Sequence, residues 1–376
     1  MADISSLIDE FVRRDASDLY ISVGARPSVR SAQGVVPISP DPLTEEDVQA
    51  AILGILPESV MDEFSSTLEY NTAINWRDTA RMRINLFRQR QHTGMVLRRI
   101  HTKIPSLEEL NLPKIYGDLI MEKRGLILIV GPTGSGKSSS LASMLEYRNL
   151  NSTGHIITLE DPVEYMLEHK GCIITQRDIG IDTYSFGIGL KNTLRQAPDI
   201  IVIGEIRDRE AMEHAVIFAE TGHLCLATLH ANNANQAIER ILNFFPEEKH
   251  KQVLLNLSLN LRGILSQRLM PNTFGSRSVA IEIMLNNGLI KQLIHDGQVR
   301  EIKECIEKGG EDGMQSFDQD LIRLCEANII SEATALLESD TPSNIRLVLK
   351  QQSIAKRNDL NDLNDPGAQQ QRNKTF

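Results

Sequence analysis

Leu126-Ile127-Leu128-Ile129-Val130-Gly131-Pro132-Thr133-Gly134-Ser135-Gly136-Lys137-Ser138 is an apolar run that passes directly into a glycine-rich loop. Five consecutive apolar residues ending at a turn signal predict a fully buried strand. The eight residues after it fit G-x-x-x-x-G-K-[ST] in full, and Ser139 to Leu150 reads as a helix, so the motif has the strand–loop–helix setting its chemistry needs. Glycines let backbone amides turn inward around a phosphate chain, and the helix N-terminus adds positive potential. Lys137 is then placed to reach the β- and γ-oxygens, and Ser138 to offer its hydroxyl to Mg2+. Gly131 to Ser138 are the candidate phosphate-binding residues.

Further apolar strands are expected at His155 to Leu159, Ile200 to Ile203, Cys225 to Leu229 and Val279 to Met284, with helical stretches between them. That alternation predicts an α/β fold with a parallel sheet. Ligands of such sheets bind at the carboxyl ends of the strands, where the Ile200 strand delivers Gly204-Glu205. Glu205 is a candidate for holding Mg2+ or its water, against the plainer alternative of a surface acid at a strand end. Thr158-Leu159-Glu160-Asp161-Pro162-Val163-Glu164 brings three carboxylates to the end of another strand. Asp161, Pro162 and Glu164 have the spacing of a helix capping box, and Glu164 is equally a candidate base for an attacking water. His223 and His230 flank the Cys225 strand; seven residues apart, they cannot share one face of it, which disfavours a metal pair.

The first hundred residues read differently. Ile4, Leu7, Ile8, Phe11 and Val12 have helical spacing, Asp18 to Val23 alternates like a strand, and Thr44 with Asp47 begins a second helix by the capping pattern. Alternation returns at Met82 to Phe87, followed by a strand at Met95 to Ile100. The expected division is therefore a small α+β domain over 1–100, a proline-marked linker over 101–113, an α/β domain with C-terminal helices over 114–351, and a disordered polar tail over 352–376.

Lys and Arg total 40 against 50 for Asp and Glu, a net charge of -10, which argues against generic nucleic-acid or anionic-membrane binding. Residues 76–103 oppose that balance, with eight basic residues against the single acid Asp78. Arg81 and Arg83 share a strand face and could converge on one anion; a solvated basic face, a phosphate contact on a neighbouring subunit and nucleic acid are the alternatives. A length of 376 residues predicts two to three domains. No secretory signal is expected from Met1 to Glu10, and no apolar run nears the ~20 residues that a bilayer-spanning helix needs. Cys172, Cys225, Cys305 and Cys325 are scattered and read as buried reduced thiols.

Gly131 to Ser138, Thr158 to Glu164, Gly204-Glu205 and Thr221 to His230 stand in the order of the Walker A loop, Asp box, Walker B acid and His box of the ATPases that power type II secretion and type IV pili. The chain resembles that family over about 1–350. Leu190 to Asp199 and Phe218 to Ala237 place the likeness on the retraction (PilT/PilU) branch, on its PilU-type side. The resemblance implies a PAS-like first domain, a RecA-like second domain and a homohexamer with ATP and Mg2+ between the domains. It implies Glu164 as catalytic base and Glu205 for Mg2+ and water, and it places His223 and His230 near the γ-phosphate or at the domain contact. Arg81 and Arg83 would reach a nucleotide across a subunit boundary. Expected partners are a PilT-type retraction ATPase and the pilus platform protein, at the cytoplasmic face of the inner membrane, with no nucleic acid and no membrane insertion. The branch's Ala-Ile-Arg-Asn-Leu-Ile-Arg-Glu motif is replaced by Leu289-Ile290-Lys291-Gln292-Leu293-Ile294-His295-Asp296, losing both arginines, which fits an accessory motor.

Overall fold

The computed structural model describes residues 3–31, 34–77, 80–100, 103–310 and 313–351. The expected disordered tail lies outside the described residues. Two compact units are made of Met1–Ser106 with Ala142–Gly204 and of Leu107–Leu141 with Glu205–Phe376.

Strands β1 (Asp18–Ser22), β2 (Ser28–Ser31), β3 (Gly34–Pro37), β4 (Glu69–Trp76), β5 (Ala80–Gln89) and β6 (His92–Ile100) form a sheet in the order β3-β2-β1-β6-β5-β4. Every pairing in it is antiparallel. Helix Ile4–Arg13 buries Ile4, Leu7, Ile8 and Phe11, the stripe predicted from spacing, in one core with Leu19, Ile21, Met82, Ile84 and Leu86 of the sheet. Helix Glu45–Leu53 begins at the predicted capping box: Thr44 Oγ1 accepts from Asp47 N (3.2 Å) and Asp47 Oδ2 accepts from Thr44 N (2.9 Å). Along β5 the apolar positions Ala80, Met82, Ile84 and Leu86 are buried, which turns Arg81 and Arg83 together to the opposite face.

The second sheet contains β7 (Gly125–Val130), β8 (Gly154–Glu160), β9 (Cys172–Asp178), β10 (Ile200–Ile203), β11 (Leu224–Leu229), β12 (Leu261–Pro271) and β13 (Arg277–Leu285), in the order β13-β12-β7-β11-β10-β8-β9. β7, β10 and β11 are buried along their whole length, as continuous apolar runs require. The registered pairs are parallel apart from β12 with β13. The Val279 to Met284 strand is thus antiparallel to its neighbour, because only five residues separate β13 from β12 and a parallel crossover needs a dozen or more. β13's outer side is also occupied: Ile281 N donates to Asp320 Oδ2 (2.9 Å), Ile283 N to Gln315 O (2.8 Å) and Gln315 Nε2 to Ile281 O (2.9 Å). The α/β class with a smaller α+β part at the N-terminus stands. No helix among the described residues is long and apolar enough to cross a membrane.

Candidate active site

β7 ends at Val130, and the phosphate loop follows it into helix Lys137–Asn151. Gly134 (φ 79°) and Gly136 (φ 91°) occupy the left-handed region, where a side chain would be strained. A Cβ on Gly131 would come 2.5 Å from the Gln267 carbonyl, so only glycine lets the loop pass β12. Lys137 Nζ donates to Gly131 O and Pro132 O, both at 2.8 Å, which folds the ammonium back over the loop. Ser135 Oγ is buried and has no hydrogen-bond partner among the described residues. An unsatisfied hydroxyl, a lysine and a glycine-rich turn at a helix N-terminus are suited to a polyphosphate.

Glu205 follows β10 after the single residue Gly204, and His230 follows β11 directly. Ile206 N donates to Thr228 O (2.9 Å), holding the two strand exits side by side. His230 Nε2 therefore lies 3.0 Å from Glu205 Oε1, while Arg207 Nε donates to Glu205 Oε2 at 2.7 Å. Desolvation lowers the His230 pKa below its ordinary value, the positive charges of Lys137, Arg240 and Arg207 lower it further, and Glu205 opposes them. A neutral imidazole then donates to the carboxylate.

His223 is not brought into this cluster. It precedes β11, and seven residue steps at ~3.3 Å each place it roughly 23 Å from His230. Its Nδ1 meets Thr221 Oγ1 (3.1 Å) and Phe218 O (3.3 Å) at the end of helix Arg209–Glu220.

In the other unit, Asp161-Pro162-Val163-Glu164 forms no helix, and the capping-box alternative falls. The Asp161–Pro162 peptide is cis, and Val163 N donates to the buried Asp178 Oδ1 at 2.7 Å, holding the segment as irregular chain. Glu164 is exposed and lines a cavity of about 220 Å³ with Arg83, Arg98 and Arg99. Arg83 pairs with Asp161 at 3.7 Å, whereas Arg81 Nε is buried without a partner among the described residues. Much of the basic stretch is neutralised by acids from elsewhere in the chain: Arg98 pairs with Asp18, Arg99 with Asp15, Arg77 with Asp9 and Arg88 with Glu45. Half-buried Glu160 accepts from Thr158 Oγ1 (2.7 Å) and Gln176 Nε2 (3.4 Å). Desolvation raises its pKa to about 7, against those two hydrogen bonds and with help from the charges of Asp178 and Glu164.

Sequence reasoning missed Arg207, Asp178 and Gln267. Gln267, fully buried on β12, donates to Ser140 Oγ (2.7 Å) in the helix after the phosphate loop and to Tyr116 OH (3.0 Å). Asp178 and Gln267 lie on β9 and β12, the two strands of the seven-stranded sheet that were not predicted. Arg207, two residues after Glu205, was legible as a charge beside the acid.

The family described as "Type II/IV secretion system protein" matches residues 48–354. The type IV pilus ATPase PilU of Pseudomonas aeruginosa is 49% identical over 362 residues, covering 96% of this chain and 95% of its own length. The type IV pilus retraction ATPase PilT of the same organism is 37% identical over 342 residues, covering 91% and 99%. A crystal structure of the pilus retraction motor PilT with bound ADP superposes with a TM-score of 0.85 at 37% identity, over 92% of this chain and 99% of that one. The family match takes in the whole seven-stranded sheet and half of the six-stranded one, and the chain belongs to the type II/IV secretion system protein family.

Proposed function

We propose that this chain is an ATP-hydrolysing motor subunit of type IV pilus retraction, of the accessory PilU type, working as a homohexamer. The observation that carries the reading is the convergence of the phosphate loop with the Glu205–His230 pair at the carboxyl ends of β7, β10 and β11. Likeness to PilU and PilT along nearly the whole chain supports the pilus assignment.

Lys137 leaves the loop carbonyls for the β- and γ-oxygens when nucleotide enters. Mg2+ would be held by the Ser138 hydroxyl and the Glu205 carboxylate, hard oxygen donors of the kind it takes, and would neutralise charge building on the phosphates. Glu205 must then yield one of its present partners, and Arg207, the more exposed of the two, is the one to go. His230 keeps the other oxygen oriented. Glu164, exposed where Glu160 is enclosed and hydrogen-bonded, is the carboxylate free to take a proton from the attacking water. Arg81 and Arg83, on one face of β5, would stabilise phosphate charge in a neighbouring subunit. For His223 the domain-contact role is the one retained. A PilT-type ATPase and the pilus platform protein at the cytoplasmic face of the inner membrane are the proposed partners.

The test is ATP turnover by the purified protein and by Lys137→Ala and Glu164→Ala. Wild-type turnover no faster than either variant rejects the assignment. A second reading makes the chain an ATP-binding docking ring whose own hydrolysis is dispensable. It is favoured by helix Gly288–His295, where Lys291 and His295 stand exposed in place of the branch's two arginines. Full pilus retraction in a Lys137→Ala strain would select it.

A further inference from the structure

A cavity of about 460 Å³ lies between the phosphate loop and the C-terminal part of the chain. Pro132, Thr133, Gly134 and Ser135 of the loop, residues 337–340 and Arg268 of β12 all line it. The parallel register pairs Ser266 with Val130, so Arg268 lies two residues beyond the point where β7 gives way to the loop. Its guanidinium is committed to the C-terminal side: Nη1 donates to Glu338 O (2.5 Å), Nη2 to Asp340 Oδ1 (2.6 Å), and Cζ lies over the Phe317 ring, 3.9 Å from its centroid.

We propose that Arg268 is a nucleotide-contacting residue whose resting counter-ion is Asp340, so that a bound di- or triphosphate draws the guanidinium away from residues 337–341. The inference rests on the nucleotide reading of this loop. At rest Arg268 is held by one carboxylate oxygen, Asp340 Oδ1, and by the Glu338 carbonyl; a polyphosphate offers several negative oxygens to the same planar fork and can take it bidentately. The exchange leaves the Asp340 carboxylate paired. Lys303 Nζ already reaches Asp340 Oδ2 at 3.1 Å and remains as its counter-ion. The segment also stays attached, because Asp318 accepts from Ser339 Oγ and Asp340 N at 2.9 Å and from Thr341 N at 3.1 Å, independently of Arg268. What changes is one of two tethers: the Asp318 bonds hold the backbone, and the Arg268 bonds report the occupancy of the cavity.

The experiment is equilibrium binding of ADP carrying a fluorescent ribose substituent to the full-length chain and to Asp340→Asn, Arg268→Gln and Arg268→Lys. Asp340→Asn removes the competitor and should tighten binding several-fold, while Arg268→Gln should weaken it about 10-fold, the worth of a charge-assisted pair. Arg268→Lys should fall between wild type and Arg268→Gln. Hydrogen exchange over 337–341 should rise on ADP addition in wild type and not in Arg268→Gln. A purely structural ion pair moves both neutral variants in the same direction, or neither; either result overturns the proposal while leaving the nucleotide site intact. Wild type that binds no ADP removes the site and the proposal together.

Discussion

His230 Nε2 lies 3.0 Å from Glu205 Oε1, joining the residue that ends β11's apolar run to the acid that ends β10's. With its pKa held below the ordinary histidine value, chiefly by desolvation, His230 is neutral at pH 7 and donates its Nε2 proton. Glu205 is thereby oriented before any nucleotide arrives.

His230→Phe should lower kcat by roughly 10–100-fold, with His230→Gln, which can still donate, closer to wild type. The sign of the pH effect follows from the depressed pKa: the unfolded chain takes up the proton first as pH falls through 6.5, so this residue's contribution is present above 6.5 and lost below it. Thermal melts from pH 8 to pH 5 should show a steeper acid decline in wild type than in His230→Gln.

Lys137→Ala should abolish ATP turnover. Because Lys137 Nζ also bonds two loop carbonyls, the variant should lose about 1–3 kcal/mol of stability. Added ADP should raise the melting temperature of wild type and leave that of the variant unchanged.

Glu164→Gln and Glu205→Gln should both cut kcat by roughly 100-fold or more, and they should separate in binding. Glu164→Gln keeps the Mg2+ dependence of nucleotide affinity; Glu205→Gln loses most of it. Titrations with Mg2+ and with EDTA distinguish them, and identical behaviour would show that the two roles are misassigned.

Glu160 titrates near pH 7 in the folded chain against an ordinary value of 4.5. A raised carboxyl pKa means the folded state holds its proton longer, so stability from this group is full below 4.5 and is lost as pH rises to about 7. Glu160→Gln, neutral throughout, should gain on wild type by on the order of 1–3 kcal/mol between pH 5 and pH 8, measured by urea unfolding.

Lys291→Arg combined with His295→Arg places arginines of the retraction-branch type at two exposed helix positions. The melting temperature should stay within a few degrees of wild type, since surface changes seldom exceed ~0.5 kcal/mol. In a strain lacking the main retraction ATPase, the double variant should retract pili better than wild type does, scored by twitching-zone diameter.

The phosphate loop, Glu205 and the core strands β7, β10 and β11 were legible because an uninterrupted apolar run, a glycine pattern and an acid at the run's end lie within a few residues of one another. β9 and β12 were not, because Cys172–Asp178 places Thr175, Gln176, Arg177 and Asp178 in its second half and Leu261–Pro271 interleaves Arg262, Ser266, Gln267 and Arg268. Their polar residues are the ones that hold the site: Asp178 fixes the Val163 backbone and Gln267 ties the loop helix to Tyr116. Spacing likewise suggested a capping box at Asp161, and the long-range bond from Val163 to Asp178 overrode it. The +7 charge of residues 76–103 was legible too, but not that Asp9, Asp15, Asp18 and Glu45 would answer half of it from distant parts of the chain.

Gln315 and Asp320 occupy successive hydrogen-bonding positions along the outer side of β13. A sheet rim left open recruits strands from other molecules and seeds fibres. Here that rim carries side-chain and loop partners of its own, so a second copy cannot prolong the sheet at β13. At this rim an assembly of copies has to be built from side-chain surfaces, and a change as small as Asp320→Ala, by baring the Ile281 amide, would trade that selectivity for self-association.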